Sequence, residues 1–100
     1  MSVVANTPPT CVLTNPTSSM LITAPTVISL EATASDNDGV TGVDFYVNGT
    51  LVGSDATSPY SYSWTSTAGI KTFYAKAMDT FGAFTNSASV TLDIADPNAL

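Results

Sequence analysis

The chain has 100 residues, of which 44% are hydrophobic and only 10% are charged. This length fits a single domain that folds without metal or disulfide staples, and a lone cysteine, Cys11, excludes an intrachain disulfide. Two lysines against eight carboxylates give a net charge of −6, which argues against nucleic acid and anionic membranes as partners, because both attract clustered basic side chains. No run approaches the roughly 18 apolar residues of a membrane span, and the first residues lack a signal-peptide pattern.

Taken in order, the chain is a series of short strand patterns separated by turns. Residues 1–8 are predicted to be an N-terminal linker, residues 9–95 the folded domain, and residues 96–100 a C-terminal linker. Alternating apolar and polar residues between turn-forming residues predict the strands, and Asn48-Gly49 is the strongest hairpin signal. The predicted strands are 10–14, a short edge piece at 20–23, then 27–35, 42–48, 51–54, 60–65, 70–78 and 85–94.

One predicted strand carries three aromatic residues on one face. Tyr60, Tyr62 and Trp64 alternate with small hydroxyl residues, so we expect their rings to lie hidden between two sheets, with the other strands packed against them. In the last strand, the same alternation predicts that Ala88 faces inward and Ser87 outward. Seven or eight evenly spaced strands without a helical pattern predict an all-β, immunoglobulin-like β-sandwich of two antiparallel sheets.

The order of these motifs resembles that of bacterial immunoglobulin-like (Big) domains, and fibronectin type III is the nearest rival fold. The resemblance implies a non-catalytic accessory or spacer module of a secreted or cell-surface bacterial protein, such as a multidomain glycoside hydrolase or an adhesin. It also implies an extracellular location and neighbouring domains of the same polypeptide as partners. The segments that carry the resemblance are 9–16, 24–36, 43–49, 58–64 and 75–79.

Catalytic chemistry finds little support in the residue types present. The sequence contains no histidine, so the usual base for an activated serine or cysteine is missing. The carboxylates fall mostly in predicted turns or on outward strand positions, where nothing forms a cleft for acid–base cleavage of a glycoside. We therefore expect a protein that is not an enzyme.

A calcium site is the one metal hypothesis that the sequence raises. Asp36 and Asp38 lie in the turn before one central strand, and Asp79 lies in the turn before the last strand. In an immunoglobulin-type topology these two turns meet at the same end, where carboxylate oxygens from both would suit Ca²⁺. The alternative is that these residues form hydrogen-bonded Asx turns and hold no ion. No other cofactor is predicted.

Two surface hypotheses concern partners. Tyr46 and Tyr74 are expected to face outward on neighbouring strands, where aromatic rings stack on sugars and Asp44, Asn48 and Lys76 add polar contacts to a polysaccharide. The alternative is ordinary cross-strand pairing or packing against a neighbouring domain. Exposed edge strands of a weakly charged β-rich chain also favour homo-oligomers, either stacks or filaments.

Overall fold

Eight strands make up most of residues 7–98, the part of the chain that the computed structural model describes. Within that range no helix is long and apolar enough to cross a membrane. Of the predicted linkers, residues 1–6 and 99–100 lie outside the described range, and the domain boundaries at 9 and 95 stay predictions. The strands are β1 (Thr10–Asn15), β2 (Val27–Ser35), β3 (Val40–Val47), β4 (Thr50–Asp55), β5 (Tyr60–Thr65), β6 (Gly69–Asp79), β7 (Phe84–Asn86) and β8 (Val90–Ile94).

The strands form two antiparallel sheets that face each other. The small sheet has the order β1-β2-β5, and the large sheet has the order β4-β3-β6, with β7 and β8 both paired to β6. β4 therefore stays beside β3, whereas in constant-type immunoglobulin domains the fourth strand joins the first, second and fifth. The predicted immunoglobulin-like sandwich is confirmed. Edge pairing between copies stays a prediction. The edge strands on which it would depend are β1 and β5 in the small sheet, and β4, β7 and β8 in the large sheet.

The hairpin between β3 and β4 forms where the sequence predicted it. Asn48 has a φ of 51° and Gly49 a φ of 80°, the pair of positive values that a type I′ turn requires. Asn48 also ties the hairpin to β6, because its backbone N–H donates to the carbonyl of Thr72 at 2.8 Å. The turn thus fixes the register of three adjacent strands of the large sheet.

The inner faces of both sheets form one apolar core. Phe45 on β3 and Phe73 on β6 are fully buried at its centre. Trp64 from the opposite sheet meets Phe73 edge-to-face, with ring centroids 5.5 Å apart and planes at 77°, a favourable aromatic geometry. The buried apolar residues are Ala24, Ile28, Leu30, Ala32, Val43, Phe45, Val47, Tyr60, Phe73, Ala75, Ala77, Leu92 and Ile94.

The aromatic strand is less enclosed than the sequence predicted. Tyr60 is buried, but Tyr62 and Trp64 are only partly buried. The physical reason is that β5 is an edge strand of the small sheet, so one flank of each ring reaches the rim of the sandwich. Tyr62 covers Gly53 of β4 so closely that a Cβ at Gly53 would lie 2.6 Å from the ring Cγ. This contact joins the edges of the two sheets.

The last predicted strand is interrupted, and the prediction that Ala88 faces inward and Ser87 outward was wrong. β7 and β8 are separated by residues 87–89, and there Ser87 is buried while Ala88 is exposed. The Ser87 N–H donates to the carbonyl of Ala75 at 2.8 Å, and its hydroxyl oxygen accepts from the Ala75 N–H at 2.9 Å. A serine that satisfies both backbone groups of a neighbour is stable inside, because its polar atoms are paired. The predicted edge piece at 20–23 also shortens to a single parallel bridge between Thr23 and Ala95.

The described chain enters the sandwich at one end and leaves it at the other. β1 begins at Thr10, opposite Ser35 at the end of β2, and the turns at 36–39 and 80–83 lie at this N-terminal pole. β8 ends at Ile94, opposite Gly69 at the start of β6, which defines the C-terminal pole. The principal extents are 68 × 20 × 20 Å and the radius of gyration is 15.5 Å. The longest strand, β6, has 11 residues and spans only about 36 Å, so the long dimension includes chain outside the strands.

Candidate functional site

The predicted tyrosine pair lies on the outer face of the large sheet. Tyr46 and Tyr74 are direct partners across β3 and β6, and Leu51 of β4 opposes Tyr46 on the other side. The two tyrosine rings are parallel to within 6° and their centroids lie 4.7 Å apart. Each ring therefore covers part of one face of the other, and both residues remain partly exposed. The stack is a cross-strand pair whose outer surfaces are still open to a partner.

The polar residues predicted beside the tyrosines already have partners within the domain. The Asp44 carboxylate accepts from the Ser54 hydroxyl at 2.6 Å. The Asn48 side chain accepts from the Thr72 N–H at 2.8 Å and donates to the Ile70 carbonyl at 3.3 Å. The Lys76 ammonium lies 4.2 Å from the centre of the Phe84 ring, a cation–π distance. These groups hold neighbouring strands together before any ligand arrives.

The two acidic turns meet at the N-terminal pole, as the topology predicted. Val40 pairs with Asp79, and the Thr80 hydroxyl donates to the Asp38 carbonyl at 3.5 Å. Asp36 forms an Asx turn, because its Oδ2 accepts from the Asp38 N–H at 3.0 Å. Its other oxygen, Oδ1, is shielded from solvent and has no hydrogen-bond partner in the described part of the chain.

Asp79 is the most enclosed of the three acidic residues. Its side chain is 3% exposed, and its Oδ1 accepts from the N–H groups of Phe81 and Ala83, both at 2.9 Å. The carboxylate thus orders its own turn. Between residues 7 and 98, no three Asp, Glu, His or Cys side chains are grouped so that they could hold one ion. Calcium binding stays a prediction, which would need Asn37 or backbone carbonyls as further ligands.

Cys11 is partly buried on β1, facing the core. Burial raises the pKa of its thiol, although hydrogen bonds with the backbone at Ala77 and Ser87 act in the opposite direction. A raised pKa keeps the thiol protonated at neutral pH, and the thiolate is the nucleophilic form. The position therefore favours a packing role, as its apolar surroundings in the sequence indicated.

Comparisons with known proteins agree with this fold. The family model described as "Bacterial Ig domain" matches residues 9–75. Among solved structures, the fibronectin(III)-like modules of Clostridium thermocellum CbhA are 33% identical with a TM-score of 0.88, over 98% of this chain and 52% of theirs. The chain thus spans about half the length of that structure. No curated protein matches the chain.

Two further structures share the fold at lower identity. The PKD1 domain of Vibrio anguillarum Epp is 22% identical with a TM-score of 0.63, over 93% of this chain and 100% of that one. Bacteroides ovatus SGBP-B, from a mixed-linkage glucan utilization locus and solved with a mixed-linkage heptasaccharide, is 21% identical with a TM-score of 0.56. That match covers 91% of this chain and 25% of the other.

Proposed function

The chain belongs to the bacterial Ig domain family, and from that premise we propose that it is a non-catalytic spacer or accessory module of a secreted or cell-surface bacterial protein. Immunoglobulin-like and fibronectin(III)-like domains are typically non-catalytic modules. The parent protein would be a multidomain glycoside hydrolase or an adhesin, and the partners would be its other domains. The resemblance to modules of CbhA supports this setting.

The observation that carries the proposal is the path of the chain through the sandwich. The chain enters beside Ser35 and leaves beside Gly69, at opposite poles of a sandwich whose longest strand, β6, spans roughly 36 Å. A domain with this path adds its full length between whatever precedes and follows it. Many domains instead have termini that lie close together, which suits insertion rather than spacing.

Rigidity along this path also supports a spacer. The exit segment is fixed to the body, since the Ala95 N–H donates to the Ile22 carbonyl and the Ala95 carbonyl accepts from the Ala24 N–H, both at 2.9 Å. At the other pole, β1 starts on a hydroxyl pair in which Thr10 Oγ1 lies 2.8 Å from Ser35 Oγ. Both strands that carry the chain in and out are thus bonded to the sandwich up to its ends.

The exterior offers little for catalysis, in agreement with a spacer. The sequence has no histidine, and Asp44 and Asp55 accept hydrogen bonds inside the domain. A general base must be free to reach a substrate proton. These carboxylates instead stabilise turns and strand edges.

A length-exchange experiment in the natural polypeptide tests the spacer role. Residues 9–95 are deleted in one variant and replaced in another by an unrelated rigid domain of matching length. A spacer predicts that the unrelated domain restores the activity or adhesion that the deletion impairs. If only the native module restores it, a specific surface of this domain is required and the spacer role is wrong.

The outer tyrosine pair supports a second candidate, a polysaccharide-binding face. Tyr46 and Tyr74 keep their outer ring surfaces open, and aromatic surfaces suit the apolar faces of sugar rings. The heptasaccharide bound to SGBP-B shows that a protein containing this fold binds a glucan. Retention on cellulose, chitin or xylan that Tyr74→Ala abolishes and Phe81→Ala, in the exposed turn at the N-terminal pole, preserves would establish the face. Equal behaviour of the wild type and Tyr74→Ala would leave the tyrosines as a structural pair.

A further inference from the structure

The outer face of the small sheet carries a groove that the spacer role does not use. Its volume is about 350 Å³, within the range of small-molecule sites. Four serine and threonine residues and one carboxylate line it, while a proline from the loop before β5 forms one wall. The lining residues are Thr14, Ser29, Glu31, Thr33, Pro59 and Ser61, together with Ala32 and Tyr60.

An irregularity in β1 shapes this groove. Leu13 pairs with Ala32, but Asn15 pairs with Glu31, so Thr14 is an extra residue that opposes no partner on β2. Such a bulge bends the strand and redirects the side chain of the unpaired residue. The Asn15 side chain fixes the bulge by donating to the Ser29 carbonyl at 2.7 Å. Thr14 consequently lines the groove beside Glu31.

Glu31 lies in the middle of the groove in the strand register. It pairs with Asn15 on one side and with Ser61 on the other. Its side chain is exposed, and within residues 7–98 its carboxylate forms no hydrogen bond or ion pair. The other carboxylates of turns and strand edges, such as Asp44 and Asp55, accept hydrogen bonds from their neighbours. Glu31 thus retains its capacity to accept two or more donors.

The chemistry of the lining selects the class of ligand. A carboxylate accepts O–H donors, and serine and threonine hydroxyls both donate and accept, which matches the adjacent hydroxyls of a sugar. The only cationic side chains, Lys71 and Lys76, lie on β6 in the other sheet. An anionic ligand in the groove would therefore be repelled by the negative charge of Glu31. The ring of Pro59 offers an apolar wall for the C–H face of a pyranose. We propose that this groove binds a unit of a neutral saccharide, with Glu31 as its principal hydrogen-bond acceptor.

An NMR titration tests this assignment directly. Cellohexaose, xylohexaose and chitohexaose are added to the ¹⁵N-labelled chain, with oligogalacturonate as the acidic comparison. At least one neutral sugar is expected to shift the amides of Glu31 and Ser61, and the acidic sugar should leave them unshifted. Glu31→Ala should weaken that binding about tenfold, the loss expected for a hydrogen bond to a charged acceptor.

Two variants separate this groove from the rest of the surface. Phe81→Ala, in the exposed turn at the N-terminal pole, should leave the affinity unchanged, and Glu31→Gln, which keeps the side-chain size, should weaken binding without altering the melting temperature. Shifts confined to Tyr46 and Tyr74 would overturn the proposal in favour of the large-sheet face. No shift from any of the three neutral sugars at millimolar concentration would also overturn it. Neither result bears on the spacer role, which the length exchange measures separately.

Discussion

Gly53 provides a sharp test of how the two sheets are joined. The Tyr62 ring of β5 covers Gly53 of β4, and a Cβ there would lie 2.6 Å from the ring Cγ and closer to two other ring carbons. Carbon atoms in contact normally lie about 3.5–4.0 Å apart. The ring in Gly53→Ala must therefore move by roughly 1 Å, given that normal separation. Since the overlap involves the base of the ring, its movement disturbs the packing of both sheet edges.

The expected cost combines two opposing effects. Overpacking a well-packed site costs about 1–3 kcal/mol. Gly53 does not have a positive φ, so alanine at this position also restricts the unfolded chain, which stabilises by about 0.4–1 kcal/mol. We therefore expect Gly53→Ala to lower the free energy of unfolding by about 1–2 kcal/mol.

Urea unfolding measures this change, with Gly42→Ala as the matched control. A Cβ at Gly42 would lie 3.5 Å from the Asp55 carbonyl oxygen, an ordinary contact, so that variant should be neutral or slightly more stable. With a urea dependence of about 1–2 kcal/mol per molar, Gly53→Ala should shift the midpoint down by about 1 M. In a Tyr62→Ala background the penalty should disappear. A penalty that persists without the Tyr62 ring would refute the proposed contact.

Three further predictions concern the carboxylates. Asp79→Ala should lower the free energy of unfolding by about 2 kcal/mol, because two turn N–H groups lose their acceptor. As a control, Asp93→Ala at an exposed position should change it by less than about 0.5 kcal/mol. Comparable losses in the two variants would contradict a stabilising role for the Asp79 carboxylate in its turn. Hydrogen bonds from the backbone N–H groups of Ser61 and, to a smaller degree, Thr57 lower the pKa of Asp55. The ionised Asp55 therefore stabilises the fold fully at a pH above its unfolded pKa of about 3.9, and this contribution is lost as the pH falls through its lower folded pKa. Below pH 4, the urea midpoint should therefore fall more steeply with decreasing pH for the wild type than for Asp55→Asn. Parallel curves would show that Asp55 does not contribute to the pH dependence of stability. Calorimetric addition of Ca²⁺ should give no heat and no change in melting temperature, because among the described residues no three carboxylates are grouped to hold one ion. A rise in melting temperature that Asp36→Ala abolishes would establish the calcium site instead.

Local sequence patterns were sufficient to predict which residues are buried in strands that have one face toward the core and one toward solvent. Alternation correctly predicted the inward positions of β2, β3 and β6, where Leu30, Phe45 and Phe73 are buried. The Asn48-Gly49 turn was also correct, because positive φ at two successive residues is a local requirement. Membership in the bacterial Ig domain family followed from the same motifs.

The features that the sequence did not predict depend on pairing between distant strands. In the sequence, Ser87 is a polar residue at a position predicted to face outward. Only its hydrogen bond with the Ala75 backbone makes burial of its hydroxyl favourable, and that pairing is not visible in the sequence. The partial exposure of Trp64 follows from the edge position of β5, which is a property of sheet order. The bulge at Thr14 is a mismatch of register with β2, and nothing in the residues 10–15 alone marks it.

The tyrosine and calcium hypotheses show a related limit. The sequence correctly predicted that Tyr46 and Tyr74 would be outward neighbours, but it gave no distance between the rings. Only the 4.7 Å parallel stack shows how much of each ring face the partner ring takes. Likewise, the acidic turns were expected to meet, yet the burial of Asp79 in its own turn depends on the backbone of residues 81 and 83.

The separation of the two poles tests the central claim most directly. Spin labels on cysteines at Pro8→Cys and Pro97→Cys, in a Cys11→Ser background, allow double electron–electron resonance to measure the distance across the domain. The account predicts a single distance of at least roughly 36 Å, the span of the 11 residues of β6. A distance near the 20 Å width would place both chain ends at one pole, and the domain would then add no length between its neighbours.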